Sequence, residues 1–186
     1  MVKLNRIYTR TGDAGTTGLV DGSRVSKAGS LIAAVGEVDE ANSALGVALA
    51  QMQPGEWRDA AAIVQNELFD LGADLATPWP GGEHDLRVTP VQTARVEAAI
   101  DAMTSVLDPL TSFILPGGTP ASAAMHVARA TIRRAERAVV AAAAEHALNP
   151  EVLIYINRLS DFAFCLCRVL NQSAGGDVMW VPGASR

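Results

Sequence analysis

Basic charge, cysteine, histidine and aromatic residues are all scarce in this 186-residue chain, and each shortage removes a class of function. Lys and Arg number 15 against 20 Asp and Glu, a net charge of −5. General nucleic-acid binding needs the opposite balance, and aromatics at 5% give no stacking platform for single strands. Cys165 and Cys167 are the only cysteines. On a helix their side chains diverge by roughly 200°, so they neither bridge locally nor chelate together, and they read as small core residues. His84, His126 and His146 fall into no triad or metal-ligand spacing. A carboxylate-bridged dimetal bundle would need Glu-x-x-His pairs, but here His follows Glu directly at Glu83-His84 and Glu145-His146. There is no run of 18 apolar residues and no apolar segment of signal-peptide type at the start. The expectation is a soluble, cytoplasmic protein with neither nucleic acid nor a membrane as partner and no metal-ligating residues of its own.

What the chain does have begins at residues 8–18, Tyr-Thr-Arg-Thr-Gly-Asp-Ala-Gly-Thr-Thr-Gly. Gly12, Gly15 and Gly18 let backbone N–H groups turn inward, Thr11, Thr16 and Thr17 add short donors, and Arg10 adds a planar cation. Such a loop can wrap a polyphosphate, although its composition also fits an N-terminal arm rich in turn residues. It is neither a P-loop nor a dinucleotide fingerprint, since Gly-x4-Gly-Lys-Ser/Thr is absent and no βαβ pattern surrounds it.

Behind the loop the pattern is helical. Thr89-Pro90, Thr119-Pro120 and Asn149-Pro150 each place an N-cap residue before a proline suited to the first helical position. Segments from about Lys27 to Gln53 and about Glu56 to Ala76 end at Pro54-Gly55 and Pro78, which brings the count to five helices. No alternating β-branched run of strand length is evident. The expected architecture is an all-α five-helix bundle in a single domain, 1–186, with a glycine/threonine-rich N-terminal loop (1–27), the bundle (28–173) and a C-terminal tail (174–186). Phe113-Ile-Leu115, just before Pro116-Gly-Gly118, forms an apolar patch that must be buried or touch a ligand.

The fourth helix carries a charge pattern that does not fit a plain bundle surface. Arg129, Arg133 and Arg137 repeat at i, i+4 and i+8, with Glu136 and His126 on the same arc of roughly 100°. Stacked like charges repel, and Glu136 alone does not offset them. All four cations, Arg134 included, are arginine, the residue suited to bidentate contact with phosphate or carboxylate. The pattern fits ligand or subunit contact better than a solvated face. In the fifth helix Asn157, Ser160 and Asp161 share an arc amid apolar residues, which calls for a polar partner or an internal hydrogen-bond network. In the first helix Asp39 falls on a partly apolar face as a natural counter-ion for an arginine of the fourth.

Taken together, Tyr8-Thr-Arg-Thr-Gly-Asp-Ala-Gly-Thr-Thr17, Val38-Asp-Glu-Ala-Asn-Ser43, Phe113-Ile-Leu-Pro-Gly-Gly118, Arg129-Ala-Thr-Ile-Arg-Arg-Ala-Glu-Arg137 and Asn157-Arg-Leu-Ser-Asp161 resemble the PduO-type ATP:cobalamin adenosyltransferases, in that family's order. The resemblance implies a homotrimer with active sites between subunits. It implies transfer of the 5′-deoxyadenosyl group of ATP to the cobalt of reduced cob(I)alamin, with release of triphosphate. Mg²⁺ would accompany ATP, and cobalamin would be the substrate. The nucleotide positions it implies are Thr9, Arg10, Thr11, Gly12, Asp13, Gly15, Thr16, Thr17 and Lys27 in the loop, with Arg133, Arg134, Glu136, Arg137 and Asn157 on the helices. Arg129 and Asp39 match a pair joining neighbouring subunits at the active site, so Arg129, Arg133, Asp39 and Phe113 are the implied catalytic set. Phe113 is also the implied corrinoid contact, blocking its lower axial face. Arg10 stands where many members carry lysine, and little chain follows Trp180 to cover a corrinoid. Further partners implied are a cobalamin-dependent mutase or dehydratase and a corrinoid reductase. The alternative is a non-catalytic, ATP-dependent carrier or partner of a cobalamin-dependent enzyme.

Overall fold

The computed structural model describes residues 7–186, so Met1–Arg6, the first part of the expected nucleotide loop, lie outside the described residues. Five helices follow one another: α1 (Ser30–Leu49), α2 (Glu56–Leu75), α3 (Pro90–Ser105), α4 (Pro120–Ala143) and α5 (Pro150–Asn171), the last running into a 3-10 turn, Gln172–Ala174. The all-α five-helix bundle expected from sequence is what the chain forms. All three threonine- or asparagine-proline pairs open helices. Thr89 N–H donates to Gln92 Oε1 at 2.9 Å, the Thr119 hydroxyl accepts from Ser122 N–H at 3.1 Å, and Asn149 Oδ1 accepts from Glu151 N–H at 3.2 Å.

Helix α1 starts at Ser30, not near Lys27, because the preceding residues fold differently. Thr16–Gly18 (β1) and Arg24–Ser26 (β2) pair antiparallel, with Thr17 opposite Val25. No strand was expected there, since three residues per strand are too few for alternation to register. This hairpin is held by its own backbone and is tied to the end of α2 by Val20 N–H donating to Ala76 O at 3.1 Å.

The core lies chiefly where α1, α4 and α5 meet, with Leu45, Met125, Ile132, Leu159 and Leu166 each at 0–1% exposure. Helices α1 and α4 run antiparallel. Ser30 Oγ donates to Glu145 Oε2 at 2.6 Å, and Arg134 pairs with both Glu37 and Glu40. The N-terminal hairpin, the end of α2 and the start of α5 therefore share one end of the bundle. The α1–α2 connection, the loop before α4 and the tail share the other.

Two buried polar networks pin these ends. At the first, Asp74 accepts from Arg87 Nη1 (2.7 Å), Val88 N–H (2.8 Å) and Asn149 Nδ2 (2.7 Å), fixing the long 77–89 loop. At the second, Asp177 accepts from Arg168 Nε (2.8 Å) and Asn171 Nδ2 (3.2 Å), while Asn171 Oδ1 accepts from Thr119 N–H (3.0 Å). Between them, Tyr155, fully buried, donates to Glu67 Oε2 at 2.8 Å, and Arg95 pairs with the other oxygen of that carboxylate.

Candidate active site

The glycine/threonine loop is a pair of tight turns closed by two cations. Asp13 N–H donates to Arg10 O and Gly15 N–H to Gly12 O, with Arg10 itself at a φ of 63°. Lys27 N–H donates to Gly15 O at 2.9 Å, and its ammonium lies so close that a methyl group on Gly12 would sit 2.9 Å from Nζ. Arg24, which sequence reasoning passed over, holds the loop from beneath: its Nη2 donates to Thr11 O (2.7 Å), Thr16 O (3.0 Å) and Thr16 Oγ1 (2.7 Å). Its only sequence signal is a cation 13 residues beyond the loop's central threonine. Thr9 and Thr11 share a 2.8 Å hydroxyl contact, and the Arg10 guanidinium lies 5.8 Å from the Tyr8 ring centroid. Asp13 and Gly15 are exposed, and Thr17 sits in β1. Hydroxyls, turned backbone and cations are thus concentrated in one small segment.

On α4 the arginines divide. Arg134 is engaged by Glu37 and Glu40 of α1. Arg137 Nη1 donates to the Arg133 carbonyl at 2.9 Å, and among the described residues neither Arg133 nor Arg137 has a carboxylate partner. Glu136 is taken by Asn157, whose Nδ2 donates to Oε1 at 2.7 Å, joining α4 to α5. Asn157 and Asp161 are exposed and only Ser160 of that arc is buried, so the arc is not enclosed as an internal network. Arg158, beside them, pairs with Glu97 at 2.8 Å.

Arg129 and Asp39 do not meet within the chain. Arg129 is half-buried with its Nε unpartnered, in a cleft of 540 Å³ shared with Pro116, His126, Arg134 and Arg137. Asp39 is exposed, in a separate cleft of 450 Å³ between α1 and α2 beside Phe69. Asp39 is therefore open to solvent on its partly apolar face and not enclosed by it, and Phe69, lining the same cleft, is itself 69% exposed.

Phe113 lies at the far end of the bundle and is 78% exposed, which removes burial as the explanation of its apolar patch. It is presented on a built support. Leu115 N–H donates to Val178 O at 2.8 Å, Trp180 N–H to Phe113 O at 2.7 Å, and Ser112 Oγ to Trp180 O at 2.8 Å. The Phe113 and Trp180 rings pack with centroids 6.2 Å apart. The tail is therefore a brace for the Phe113 loop, a role that no local sequence signal announced.

The two cysteines offer no thiolate nucleophile. Burial pushes the Cys167 thiol up to about 12, and burial also raises Cys165, so neither is a thiolate near neutrality. Among the described residues no three His, Cys, Asp or Glu side chains converge as a metal cage, and no helix is long and apolar enough to cross a membrane.

Comparison with known proteins is direct. A family model for cobalamin adenosyltransferase matches residues 7–170. The chain is 49% identical to the corrinoid adenosyltransferase of Mycobacterium tuberculosis, with 100% of this chain and 97% of that one aligned. It is 43% identical to the corresponding Bacillus subtilis protein, over 96% and 94% of the two chains. In three dimensions it superimposes on a variant of the PduO-type ATP:corrinoid adenosyltransferase from Lactobacillus reuteri, complexed with cobalamin and ATP. The TM-score is 0.87 at 38% identity, covering 94% of this chain and 99% of that one. With a family match over most of its length and relatives this similar end to end, the chain belongs to the cobalamin adenosyltransferase family.

Proposed function

We propose that this chain transfers the 5′-deoxyadenosyl group of ATP to the cobalt of a reduced corrinoid. The observation that carries the reading within the fold is the pair Arg133 and Arg137, cations facing outward with no carboxylate partner among the described residues. Two unneutralised guanidiniums one turn apart suit an anionic ligand, and the turned loop closed by Lys27 suits its phosphates.

The substrate's own Co(I) is the nucleophile. A Co–C5′ bond forms as the C5′–O bond breaks, and the electron pair leaves on triphosphate. The protein's task is then orientation and charge. Lys27, Arg133 and Arg137 hold the phosphates, with Thr9, Thr11, Thr16 and Thr17 as short donors, so that leaving-group charge develops against fixed cations. Arg24 positions this loop without needing to touch the nucleotide. Mg²⁺ fits as an ion carried by the phosphates, since among the described residues no three His, Cys, Asp or Glu side chains form a cage, and it would supply charge neutralisation on the leaving group. Phe113, exposed and braced by Trp180, suits an apolar wall against the lower face of the corrinoid, disfavouring an axial ligand there and easing reduction of Co(II).

Loop and Phe113 lie at opposite ends of one chain. The 24 residues of α4 separate them by about 36 Å at 1.5 Å per residue. This supports active sites built between subunits of a homotrimer, with Asp39 of one copy meeting Arg129 of the next. A corrinoid reductase would supply the reduced substrate, and a cobalamin-dependent mutase or dehydratase would consume the product. A non-catalytic carrier is not favoured, because relatives 49% and 43% identical over nearly the full chain are corrinoid adenosyltransferases by name.

The test is an anaerobic assay with Mg-ATP and chemically reduced cobalamin, following the corrinoid spectrum and triphosphate. One triphosphate per adenosylcobalamin formed is the expected result. ATP binding without turnover would overturn the reading in favour of the carrier.

A further inference from the structure

In the glycine/threonine loop most carbonyls between Arg10 and Thr16 are already engaged. Arg10 O accepts from Asp13 N–H (3.4 Å), Gly12 O from Gly15 N–H (3.1 Å) and Gly15 O from Lys27 N–H (2.9 Å). Thr11 O and Thr16 O are instead taken by Arg24 Nη2, at 2.7 and 3.0 Å, and the same nitrogen donates to Thr16 Oγ1 at 2.7 Å. An exposed side chain of β2 thus covers acceptors that the loop's own turns leave open.

The donors are left over. Among the described residues the N–H groups of Thr11, Gly12 and Ala14 meet no backbone acceptor. A trans peptide sets each C=O and the following N–H on opposite sides, so drawing Thr11 O onto Arg24 turns Gly12 N–H away from it. At Thr16 the constraint is chemical. A guanidinium only donates, so the Thr16 hydroxyl accepts from Arg24 and its own proton is left to point elsewhere.

Charge points the same way. Neither Arg24 nor Lys27 has a carboxylate partner among the described residues. Both come to Gly12: a methyl group there would lie 2.9 Å from Lys27 Nζ and 3.4 Å from Thr16 O, the oxygen that Arg24 holds. Two cations gathered on one short segment repel each other, and the donors between them suit an anion. We infer that Arg24 is a positioning residue that sets the polarity of this loop. By occupying Thr11 O, Thr16 O and Thr16 Oγ1 it leaves a face of donors, Gly12 N–H and Thr16 O–H, matched to oxygens that only accept, those of an ionised polyphosphate. The inference rests on the nucleotide reading proposed above and adds to it the residue that makes the loop selective for such a chain. Arg24 acts through Thr11 and Thr16 and does not itself grip the phosphates.

The test combines steady-state kinetics of adenosyl transfer with calorimetric binding of inorganic triphosphate, both on the full-length chain. Arg24→Gln is expected to raise KM for ATP about ten-fold or more and to weaken triphosphate binding to the same extent. KM for reduced cobalamin and the thermal midpoint should stay as they are, because Arg24 is exposed on the hairpin and outside the helix core. A lowered midpoint with both KM values raised together would make Arg24 merely structural and overturn the inference. Thr16→Val and the double variant supply the second arm. Since Arg24 works through Thr16, the double variant should lose less in kcat/KM for ATP than the product of the two single losses; fully multiplicative losses would overturn the inference in favour of a direct contact. An Arg24→Gln protein that matches the unsubstituted chain in ATP kinetics and triphosphate binding would overturn the inference and leave the nucleotide reading standing. An unsubstituted chain that binds neither ATP nor triphosphate would overturn that reading, and the inference with it.

Discussion

At the scale of single residues, the clearest constraints come from what surrounds a side chain, which is where sequence is least explicit. Gly118 has a φ of 97°, and a methyl group there would meet Asn171 Oδ1 at 2.0 Å. Gly118→Ala is expected to cost about 1–3 kcal/mol, read as a lowered thermal midpoint by circular dichroism. An unchanged midpoint would mean that Asn171 moves aside at no cost. Arg133→Ala should lower turnover on the order of 100-fold, with Arg133→Lys recovering only part, because the charge returns without the planar fork. Steady-state kinetics in ATP reads this, and full activity of the alanine variant would remove Arg133 from the leaving-group site. His126 is pushed below its usual 6.5, first by burial and then by the Arg129 charge, with Asp177 opposing. The unfolded chain therefore binds the proton more tightly, so stability is fully present above about pH 6.5 and is lost as pH falls toward the lowered value. His126→Gln should flatten that acid-side slope in denaturant titrations, and an unaltered slope would assign it to other groups. The arginine spacing and the glycine/threonine loop were legible in advance because both are local patterns. Arg24 and the exposure of Phe113 were not, since each depends on where distant segments arrive.

At the scale of elements, the helix starts were the most readable part of the chain. Thr89, Thr119 and Asn149 act within three residues of themselves, so the signal is complete in the sequence. Helix α1 starts three residues beyond Lys27 with no local signal for it, because Gly29 provides no side-chain cap and the hairpin before it is too short to show a strand period. Asn149 has a second task invisible locally, since its Nδ2 donates to both Asp74 and Val88 O. Asn149→Ala should therefore cost more than a cap alone, about 2–3 kcal/mol, and loosen the 77–89 loop as seen by amide exchange. A loss below about 1 kcal/mol, with exchange unchanged, would show that Arg87 suffices to hold the loop. The tail gives the converse case. Its residues carry no strong pattern, yet Asp177, held by Arg168 and Asn171, anchors the strand-like pairing that supports Phe113.

At the scale of the whole molecule, the sequence pattern gave the bundle but not its ends. Helix number follows from periodicity and breakers, whereas which loops become neighbours follows from antiparallel packing of α1 on α4. That packing sends the nucleotide-type loop to one end and Phe113 to the other. A site using both must borrow from two chains, which has a genetic reading. Two alleles, one defective at Lys27 and the other at Phe113, would each encode an inactive protein when expressed alone. Expressed together, the first can lend its sound Phe113 and the second its sound loop to the same pocket, so two null alleles should complement one another, while two alleles damaged in the same loop should not.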